Sequence, residues 1–454
     1  MIQKERIQEL NNKKIRNGDY VLYWMQSAQR SHYNHALEYA ILKANELQKP
    51  LIVYFGLTPN FPDSNRRHYH FMLEGLKDVK ASLDEKNIKL IILINSPDQG
   101  AINLSKNASM IIVDAGYLKI ERMWRENAAN NIKCPLIQVE TNIVVPVKST
   151  SSKEEFAART IRSKINKILP KFMVSLKHNA TQVSYNGPDF DSHDIENIDE
   201  VINILEIDDS VKEVNNFHGG TSKALENLEY FIKNKLDKYE DYKNDPNYDY
   251  LSNMSPYLHF GQISPLYIAL QISKSNSPGK EAYLEELIIR RELSMNFIYY
   301  NPHYDSLDCL PDWAKKNLQE HASDKRKNIY SLQQLENAET GDPYWNASQK
   351  EMMIKGKMHG YMRMYWGKKI IEWTKTPEEA FNTAIYLNNK YEIDGRDANG
   401  YTGVAWCFGK HDRAWKEREI FGKVRYMNAN GLKRKFDADT YVKNIEKLKF
   451  HMGR

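Results

Sequence analysis

The sequence predicts an α/β domain followed by an all-α domain, and three features of the chain indicate this order. Residues 19–140 alternate short apolar runs with helical patterns, whereas from about Gly220 onward apolar residues recur at spacings of three and four. A polar stretch rich in Pro and Asp separates the two parts. We therefore expect a doubly wound parallel-sheet domain over residues 1–145, an interdomain linker over 146–219 and a helical domain over 220–454.

Short apolar runs in the first part indicate buried parallel strands. They are continuous and rich in β-branched residues, as expected of strands covered on both faces. Helix-like segments such as residues 66–87 lie between them, and this βαβ rhythm favours a parallel sheet. No GxGxxG follows the first run, so the usual dinucleotide fingerprint is absent. The runs are DYVLYWM (19–25), PLIVYFGL (50–57), IKLIILI (88–94), SMIIVDAG (109–116) and CPLIQVE (134–140).

Helical periodicity dominates the second half of the chain. Between the two halves, residues 141–220 are too long for an ordinary loop, so we expect a connection with some helix that packs over the first domain. The helical segments are TSKALENLEYFIKNKLDKYEDY (221–242), SPLYIALQISKS (264–275), EAYLEELIIRRELSMNFIYY (281–300) and HGYMRMYWGKKIIEWTK (359–375).

Composition limits the class of protein. The chain has 454 residues, 41% hydrophobic and 27% charged, as is ordinary for a folded soluble protein. No run approaches the ~18 apolar residues of a membrane helix, and the N-terminus lacks the apolar core of a secretory signal. Cys134, Cys309 and Cys407 form no pair or cluster typical of zinc or disulfides, so we expect no metal site and a reducing cytoplasm. A net charge of +5 is mild, so any nucleic-acid surface must be local.

Four segments of the second half carry the functional signal: residues 250–265, 285–307, 357–373 and 392–428. Together they resemble the flavin domain of the photolyase and cryptochrome superfamily. The RREL–NF–PHYDSL run, the DGRDANGYTG turn and the AWCFGKHDRAW ending are similar to its class II branch. The resemblance implies a lyase with FAD that repairs cyclobutane pyrimidine dimers in DNA. Light drives electron transfer from the reduced flavin to a flipped-out dimer.

The resemblance also implies how FAD is held. A Ser/Asn-rich turn at Leu251–Ser255 would surround the diphosphate, although by itself it reads as an ordinary helix cap. Arg363 and Asp394 would form an ion pair beside the flavin ring, where the guanidinium favours the anionic reduced flavin. Either Asn388 or Asn399 would face flavin N5, and the class II spacing favours Asn388. The implied FAD-binding residues are Tyr239, Leu251, Ser252, Asn253, Met254, Ser255, Arg363, Asn388, Asp394, Gly395, Arg396 and Asn399.

A substrate pocket is implied by three further residues. Glu286 would hydrogen-bond the Watson–Crick edge of the dimer, Trp406 would stack on it, and Met364 would lie between flavin and lesion. Glu286 precedes Arg290 by four residues, so a surface salt bridge between them is the alternative. Class I members carry a tryptophan three residues after this glutamate, where Ile289 stands here.

Tryptophans concentrate in the same half, with six of eight between Trp313 and Trp415. Trp366 and Trp373 are seven apart in a helical segment, which places them on nearly one face about 10 Å apart. Such a stripe is usually plain core. The resemblance implies instead that Trp345, Trp366 and Trp373 carry an electron to photoexcited FAD, with Trp345 and Trp366 as the essential pair.

The last functional signal is a basic segment. Residues 410–435 contain nine Lys or Arg against three acids, with aromatic residues interleaved. This pattern is typical of phosphate binding and of filling the gap that extruded bases leave. The predicted DNA-binding residues are Arg290, Lys410, Arg413, Lys423, Arg425 and Lys433.

Three other functions remain open from the sequence. A blue-light receptor on the same scaffold should lack the dimer pocket. A flavin-free nucleotide or nucleic-acid binding module would rest on the α/β domain. Repair of the six-four photoproduct usually relies on active-site histidines, and His359 is the nearest candidate. The strand ends of the first domain would hold an antenna pigment, either a deazaflavin or a folate, or no pigment at all. We expect a monomer without an obligate protein partner, associated with the nucleoid if prokaryotic.

Overall fold

The computed structural model describes residues 2–59 and 61–452. Its first part is one six-stranded sheet with the order β1-β6-β5-β2-β3-β4. All neighbouring strands are parallel except β1, which pairs antiparallel with β6. The strands are β1 (Ile7–Glu9), β2 (Tyr20–Met25), β3 (Leu51–Leu57), β4 (Lys89–Ile94), β5 (Ala108–Asp114) and β6 (Leu136–Val139).

The predicted fold class is confirmed, and each of the five apolar runs contains a strand. Every residue of β2, β3 and β5 is buried, because helices cover both faces of the sheet. Helices α1 and α2 pack on one face, and α3 and α4 on the other. Their bounds are α1 (His35–Glu46), α2 (Arg66–Asp84), α3 (Pro97–Leu104) and α4 (Lys119–Asn131).

The chain order creates a crevice at the edge of the sheet. From β2 the chain continues outward to β3 and β4, whereas β5 and β6 lie on the opposite side of β2. The loops that leave β2 and β5 therefore diverge, and such switch points are where open α/β sheets bind ligands.

The connection between the two parts contains three helices and contacts both cores. Ile202 and Leu205 of its last helix pack against the sheet, whereas Ile161 and Ile165 of its long helix join a core of the helical part. The helices are α5 (Val147–Thr150), α6 (Ala158–Phe172) and α7 (Ile198–Leu205).

The second part is helical, as its periodicity predicts. The predicted helix at 281–300 contains a six-residue π-helical segment, Glu285–Arg290, between α12 and α13. The helices are α8 (Thr221–Asn234), α9 (Leu236–Tyr242), α10 (Ser255–His259), α11 (Pro265–Lys274), α12 (Lys280–Leu284), α13 (Arg291–Tyr300), α14 (Asp312–Glu320), α15 (Leu332–Glu336), α16 (Pro343–Lys355), α17 (Gly360–Trp373), α18 (Pro377–Tyr391), α19 (Ala398–Cys407), α20 (Ala429–Lys433) and α21 (Ala438–Met452).

Arg67 of α2 links the sheet domain to α16 and α18 through hydrogen bonds. Its buried guanidinium donates to the carbonyl oxygen of Tyr391, at the end of α18, at 2.7 Å. It also donates to the carbonyl of Met353 in α16 at 2.7 Å. Because both carbonyls belong to helices that surround one cavity, the first domain helps to fix its walls.

Candidate functional site

A cavity with an empty volume of about 380 Å³ lies among helices α16 to α19. Four of the predicted FAD-binding or electron-transfer residues line it: Arg363, Trp366, Asn388 and Asn399. The other lining residues are Met352, Met358, Gly367, Ala384, Glu392, Gly400, Gly403, Val404 and Cys407.

Arg363 contributes a cation to this cavity and binds two carboxylates. Its Nη2 lies 3.0 Å from Asp394 Oδ1 and 2.8 Å from Glu392 Oε2. Burial alone would raise the pKa of Asp394, but Arg363, Lys357 and the Ser255 hydroxyl together outweigh it, so the net shift is downward. Burial raises the pKa of Glu392 to about 8, although the same guanidinium opposes this shift. Asp394 therefore remains ionised at neutral pH, and Glu392, which the sequence did not single out, favours its protonated form.

Both candidate asparagines line the cavity. Asn388 Nδ2 donates to Asn389 Oδ1 at 3.3 Å, whereas Asn399 Nδ2 donates to Asp397 Oδ2 at 2.8 Å. A Cβ at Gly400 would lie only 3.0 Å from Asn388 Nδ2, so the glycine leaves room for this amide.

The turn between α18 and α19 packs closely on the end of α18, and its residues Gly395 and Arg396 have different surroundings. A Cβ at Gly395 would meet the backbone of Asn388 and Asn389 within 3 Å, so only glycine allows this close approach. Arg396, in left-handed backbone at φ 61°, donates from Nη1 to the carbonyl of Asn389 at 3.0 Å. Arg396 does not line the cavity among α16 to α19 but lines the crevice at the strand ends, and its role in FAD binding stays a prediction.

The predicted diphosphate turn lies beside the cavity among α16 to α19, which is called the smaller cavity below, and does not line it. Asn253 adopts left-handed backbone at φ 56°, and its Oδ1 accepts from Lys357 Nζ at 3.3 Å. Ser252 Oγ accepts from the hydroxyl of Tyr283 at 3.1 Å. Lys357 immediately precedes the lining residue Met358, so it joins the turn to the cavity. The sequence analysis missed Lys357, although it begins one of the four diagnostic segments.

The remaining residues of this group are largely buried. Tyr239 packs edge-on against Phe231 and Tyr283. Met254 is buried, and Leu251 packs on the same core. Ser255 begins α10. Tyr239, Met254 and Leu251 thus pack in or against one hydrophobic core next to the turn.

The three predicted electron-transfer tryptophans form one contiguous set. Trp345 and Trp366 stack with ring centroids 6.4 Å apart and planes 5° apart. Trp345 meets Trp373 edge-on at 5.6 Å. Trp345 therefore lies between the other two, an arrangement that the seven-residue spacing alone does not reveal. Trp366 lines the cavity, and Trp345 Nε1 donates to its carbonyl at 3.0 Å.

Glu286 does not pair with Arg290, so the surface salt bridge between them is absent. The two residues lie in the π-helical segment, where the four-residue spacing no longer defines a shared face. Glu286 Oε1 instead lies 3.1 Å from Lys243 Nζ, and its side chain is 45% exposed. Arg290 Nε lies 3.3 Å from Glu285 Oε1. The Glu286 carboxylate therefore remains open to solvent on one side.

Trp406 and Met364 flank the junction of α19 and α17. The guanidinium carbon of Arg290 lies 5.5 Å from the ring centroid of Trp406. Cys407 Sγ lies 3.8 Å from Met364 Sδ. The π-helical segment that carries Glu286 thus contacts Trp406 through Arg290, and Met364 lies next to the residue that follows Trp406. His411, missed by the sequence analysis, packs edge-on against Trp406 at 6.4 Å.

Two arginines enclose an exposed tryptophan in the basic segment. Trp415 is 37% exposed, with the guanidinium carbons of Arg413 and Arg425 5.1 and 4.5 Å from its ring centroid. The side chains of Lys423 and Lys433 are 49% and 48% exposed. These four cations face solvent, as phosphate contacts require.

Lys410 differs from the other predicted DNA contacts. It is only 6% exposed, its Nζ donates to the carbonyl of Cys309 at 2.7 Å, and it forms an ion pair with Glu154. It also lies over the ring of Phe297. Its charge is thus satisfied inside the protein, which argues against the predicted DNA contact.

Comparison with known proteins identifies the family. A model of the DNA photolyase family matches residues 21–183. The deoxyribodipyrimidine photo-lyase of Methanothermobacter thermautotrophicus is 53% identical, with 99% of each chain covered. The chain belongs to the DNA photolyase family. The photo-lyase of Arabidopsis thaliana is 43% identical over 94% of this chain and 89% of its own, and that of Potorous tridactylus is 40% identical over 93% and 81%.

Solved structures confirm the photolyase fold. A cryptochrome from Synechocystis superposes with a TM-score of 0.72 at 15% identity, covering 93% of this chain and 88% of its own. A class III photolyase from Agrobacterium tumefaciens superposes with a TM-score of 0.69 at 16% identity, covering 94% and 86%. At these identities the likeness concerns the fold.

FAD follows from membership of the DNA photolyase family, and the smaller cavity suits its ring. Apolar walls from Met352, Ala384 and Val404 face the amides of Asn388 and Asn399. A Cβ at Gly403 would meet no atom within 4 Å, so the cavity is open at that wall. A flat heterocycle with polar edges matches this combination of surfaces.

A second, larger cavity occupies the crevice at the strand ends of this photolyase fold. Its empty volume is about 1080 Å³. The loops after β2 and β5 supply one wall, and α13 and the turn before α19 supply another. Burial raises the pKa of Glu121, on its wall, to about 7. Its polar lining residues include Gln26, Ser27, Gln29, Glu121, Asn142, His259, Arg291, Arg396 and Asp397.

Two features are absent from the described residues of this family member. No helix there is long and apolar enough to span a membrane. No group of three or more His, Cys, Asp or Glu in the same part of the chain is arranged to hold a metal ion.

Proposed function

We propose that this DNA photolyase family member is of the class II type and that FAD in the smaller cavity drives its reaction. The chain is a deoxyribodipyrimidine photo-lyase, a light-driven DNA repair enzyme that acts on pyrimidine dimers. When bound and reduced, photoexcited FAD supplies one electron to the dimer and recovers it after the two cyclobutane bonds break.

One observation carries the cofactor proposal. Trp366 lines the smaller cavity and stacks on Trp345, which contacts Trp373. A cofactor in the cavity would thus have an unbroken aromatic path leading away from it. We take Trp366, Trp345 and Trp373, in this order from the cavity, as the path that restores the reduced flavin. Arg363 on the cavity wall stabilises negative charge on the ring.

The lesion site is proposed at the junction of α17, α19 and the π-helical segment. A flipped base needs a polar group for its edge and an apolar wall for its face. Glu286 provides an exposed carboxylate, and Trp406 and Met364 provide the apolar surfaces. π-Helical segments are rare and often occur at functional sites, which supports a role for the Glu285–Arg290 segment. Lys243 holds Glu286 in the free protein and must yield or reorient when the dimer binds.

DNA binding is assigned to exposed cations beside this junction. Arg290 contacts Trp406, and Arg413, Arg425 and Trp415 form one exposed stack. Such a stack combines phosphate attraction with a planar surface for unpaired bases. Lys423 and Lys433 extend the basic surface. The partner is thus damaged DNA, and a dimer that already weakens its own base pairing is easier to extrude.

The rival functions receive less support. His359 Nδ1 accepts from the backbone N–H of Tyr361, and burial lowers the His359 pKa to about 4, so this histidine caps α17 and is neutral at pH 7. It is a poor acid for six-four chemistry. A blue-light receptor would not need the Glu286, Met364 and Trp406 set. A flavin-free module would not need the smaller cavity.

The larger cavity is the proposed antenna site. It lies at the sheet switch point, where α/β proteins bind ligands, and apolar and polar side chains both line it. Both deazaflavin and folate remain candidates. We further propose that the linker covers residues 146–219, and that the protein is a cytoplasmic monomer.

The test is an absorption spectrum of the purified protein before and after blue light, with an oligonucleotide that contains a thymine dimer. We expect flavin bands, recovery of intact thymines, and an additional band if an antenna is bound. A colourless protein without releasable flavin would refute the cofactor proposal. Tight lesion binding without light-dependent reversal would instead favour the receptor.

A further inference from the structure

Lys368 is a buried lysine outside the cavities and the basic segment. It lies on α17, four residues after Met364, and has no accessible surface. Its Nζ donates to the carbonyl oxygen of Cys407, the last residue of α19. Among the described residues, no carboxylate forms an ion pair with it. An isolated buried cation is costly, so its presence requires a reason.

The contact with Cys407 completes the end of α19. The carbonyls of Ala405 and Trp406 accept from the backbone N–H groups of Lys410 and Gly409, at 3.0 and 3.1 Å. The carbonyl of Cys407 receives its hydrogen bond from Lys368 instead. A cation at the carboxyl end of a helix also interacts favourably with the helix dipole. Lys368 therefore holds the final turn of the helix that carries Trp406.

An independent observation marks the same junction. A Cβ at Gly367 would lie 2.6 Å from Cys407 Sγ, so α17 and α19 approach closely only because residue 367 is glycine. Cys407 Sγ also contacts Met364 Sδ at 3.8 Å. Consecutive residues of α17 thus contact the side chain and the carbonyl of Cys407. The relative position of Met364 and Trp406 depends on this junction.

We infer that Lys368 is a positioning residue for lesion recognition, holding Trp406 at the height and angle at which it stacks on the flipped dimer. This inference rests on the proposed role of Trp406. Lys368 lines neither of the two cavities described above. It acts through the last turn of α19. The junction of α17 with α19 fixes the distance between Trp406 and Met364, the two residues proposed to contact the lesion.

Burial lowers the pKa of Lys368 to about 8, while Cys407 and Asp412 oppose this shift and Arg425 adds to it. The cation therefore persists at pH 7 at a cost to stability. Methionine at this position would remove both the hydrogen bond to Cys407 and the desolvated charge. Because the two effects have opposite signs, we expect Lys368→Met to keep the wild-type melting temperature.

The test is a double-mutant cycle on lesion affinity with Lys368→Met and Trp406→Ala, in the flavin-loaded protein. We expect Lys368→Met to weaken binding of a dimer-containing oligonucleotide about tenfold, the equivalent of one charge-assisted hydrogen bond. Binding of the undamaged oligonucleotide and the flavin spectrum should not change. In the Trp406→Ala background the same substitution should have no further effect, because the residue through which it acts is gone. Lys368→Arg, which keeps the cation, should recover part of the affinity.

Lys390→Met is the matched control, because Lys390 also lies on a helix but pairs with Glu336 at 2.7 Å. It should lower the melting temperature and leave lesion affinity intact. Additive losses in the cycle, normal lesion affinity in Lys368→Met, or equal losses for damaged and undamaged DNA would each overturn the inference. If Trp406→Ala itself binds the lesion normally, the proposed role of Trp406 fails first. Impaired Trp406→Ala with normal Lys368→Met refutes the Lys368 inference alone.

Discussion

Trp345 and Trp366 lie with their ring planes 5° apart and their centroids 6.4 Å apart, both almost completely buried. Trp366 is fixed from two sides, since its Nε1 donates to Gln349 Oε1 at 2.9 Å and its carbonyl accepts from Trp345. Two rings held in this way keep a constant separation, and a constant separation suits electron transfer between them. Burial in a core and electron transfer are therefore compatible roles for these residues.

Trp366→Phe should block photoreduction of the oxidised flavin, because the substitution removes the indole nearest the cavity and keeps an aromatic ring in the core. Repair by enzyme reduced beforehand with dithionite should survive, since that reaction does not use the tryptophan path. Both are measured by absorption, the first under blue light with an external thiol. Trp313→Phe, outside the stack, is the control. Photoreduction at the wild-type rate in Trp366→Phe would remove this residue from the path.

Glu286→Ala should retain flavin but lose most of its repair yield, because the dimer then lacks the carboxylate that binds its edge. The yield is measured as thymine recovered per photon absorbed, at saturating lesion. Glu285→Gln is the matched control, since Glu285 is the adjacent acid of the same π-helical segment and pairs with Arg162. Equal repair yields for wild type and Glu286→Ala would refute the assigned role.

The charges around Arg363 predict two shifts of opposite sign in the flavin reduction potential. Arg363→Met removes the cation from the cavity wall and should lower the potential, because the anionic reduced flavin loses its counter-charge. Asp394→Asn removes the anion that offsets Arg363 and should raise it. Arg363→Met should also destabilise the fold by about 3–5 kcal/mol, since the buried carboxylate of Asp394 loses its partner. Spectroelectrochemical titration measures both variants, and shifts of the same sign would contradict a flavin beside Arg363.

The basic segment separates exposed from buried cations. Arg425→Ala should reduce the slope of log affinity against log salt by about 1, as one phosphate contact is lost. Lys410→Met should leave this slope unchanged and destabilise the protein by about 1–3 kcal/mol, because the carbonyl of Cys309 keeps only the long hydrogen bond from Asn301. Fluorescence anisotropy at several salt concentrations and thermal unfolding distinguish the two. A reduced salt slope in Lys410→Met would restore it as a DNA contact.

The layers of the fold could be predicted from the sequence, because the spacing of apolar residues along each segment is a local property. Each apolar run gave a strand, but β1 escaped because Ile7–Glu9 is three residues long and is a strand only through its pairing with β6. The exchange between α-helix and π-helix at Glu285–Arg290 likewise has no signature in composition. Both features depend on contacts with distant residues.

The candidate site shows the same division. Arg363, Asn388 and Asn399 were found through motifs, and they meet at one cavity. Lys410 was assigned to DNA from a run of basic residues with interleaved aromatics, a pattern that does not distinguish an exposed lysine from one that is paired internally. Glu392 was missed because an acid beside Asp394 reads as an ordinary turn residue, and only the fold brings its carboxylate to Arg363.

Glu292 predicts how stability depends on pH. Its Oε1 accepts from the backbone N–H groups of Val144 and Val145 at 2.6 and 3.1 Å, which joins α13 to the end of the sheet domain. Burial raises its pKa from 4.5 to about 8 despite these donors. Between these values the folded protein holds a proton that the unfolded chain has released. The stabilisation that Glu292 gives is thus complete below about pH 4.5 and is lost as pH rises through about 8.

Glu292→Gln keeps an acceptor for the two N–H groups and is neutral at every pH. From about pH 5 to about pH 8.5, the free energy of unfolding of wild type should fall by on the order of a few kcal/mol more than that of Glu292→Gln. Urea unfolding at several pH values measures the difference. Glu320→Gln, at an exposed acid on α14, should parallel wild type. Parallel curves for wild type and Glu292→Gln would mean that Glu292 is already ionised in the folded protein. The backbone N–H groups of Val144 and Val145 and the neighbouring Arg291 would then stabilise its carboxylate.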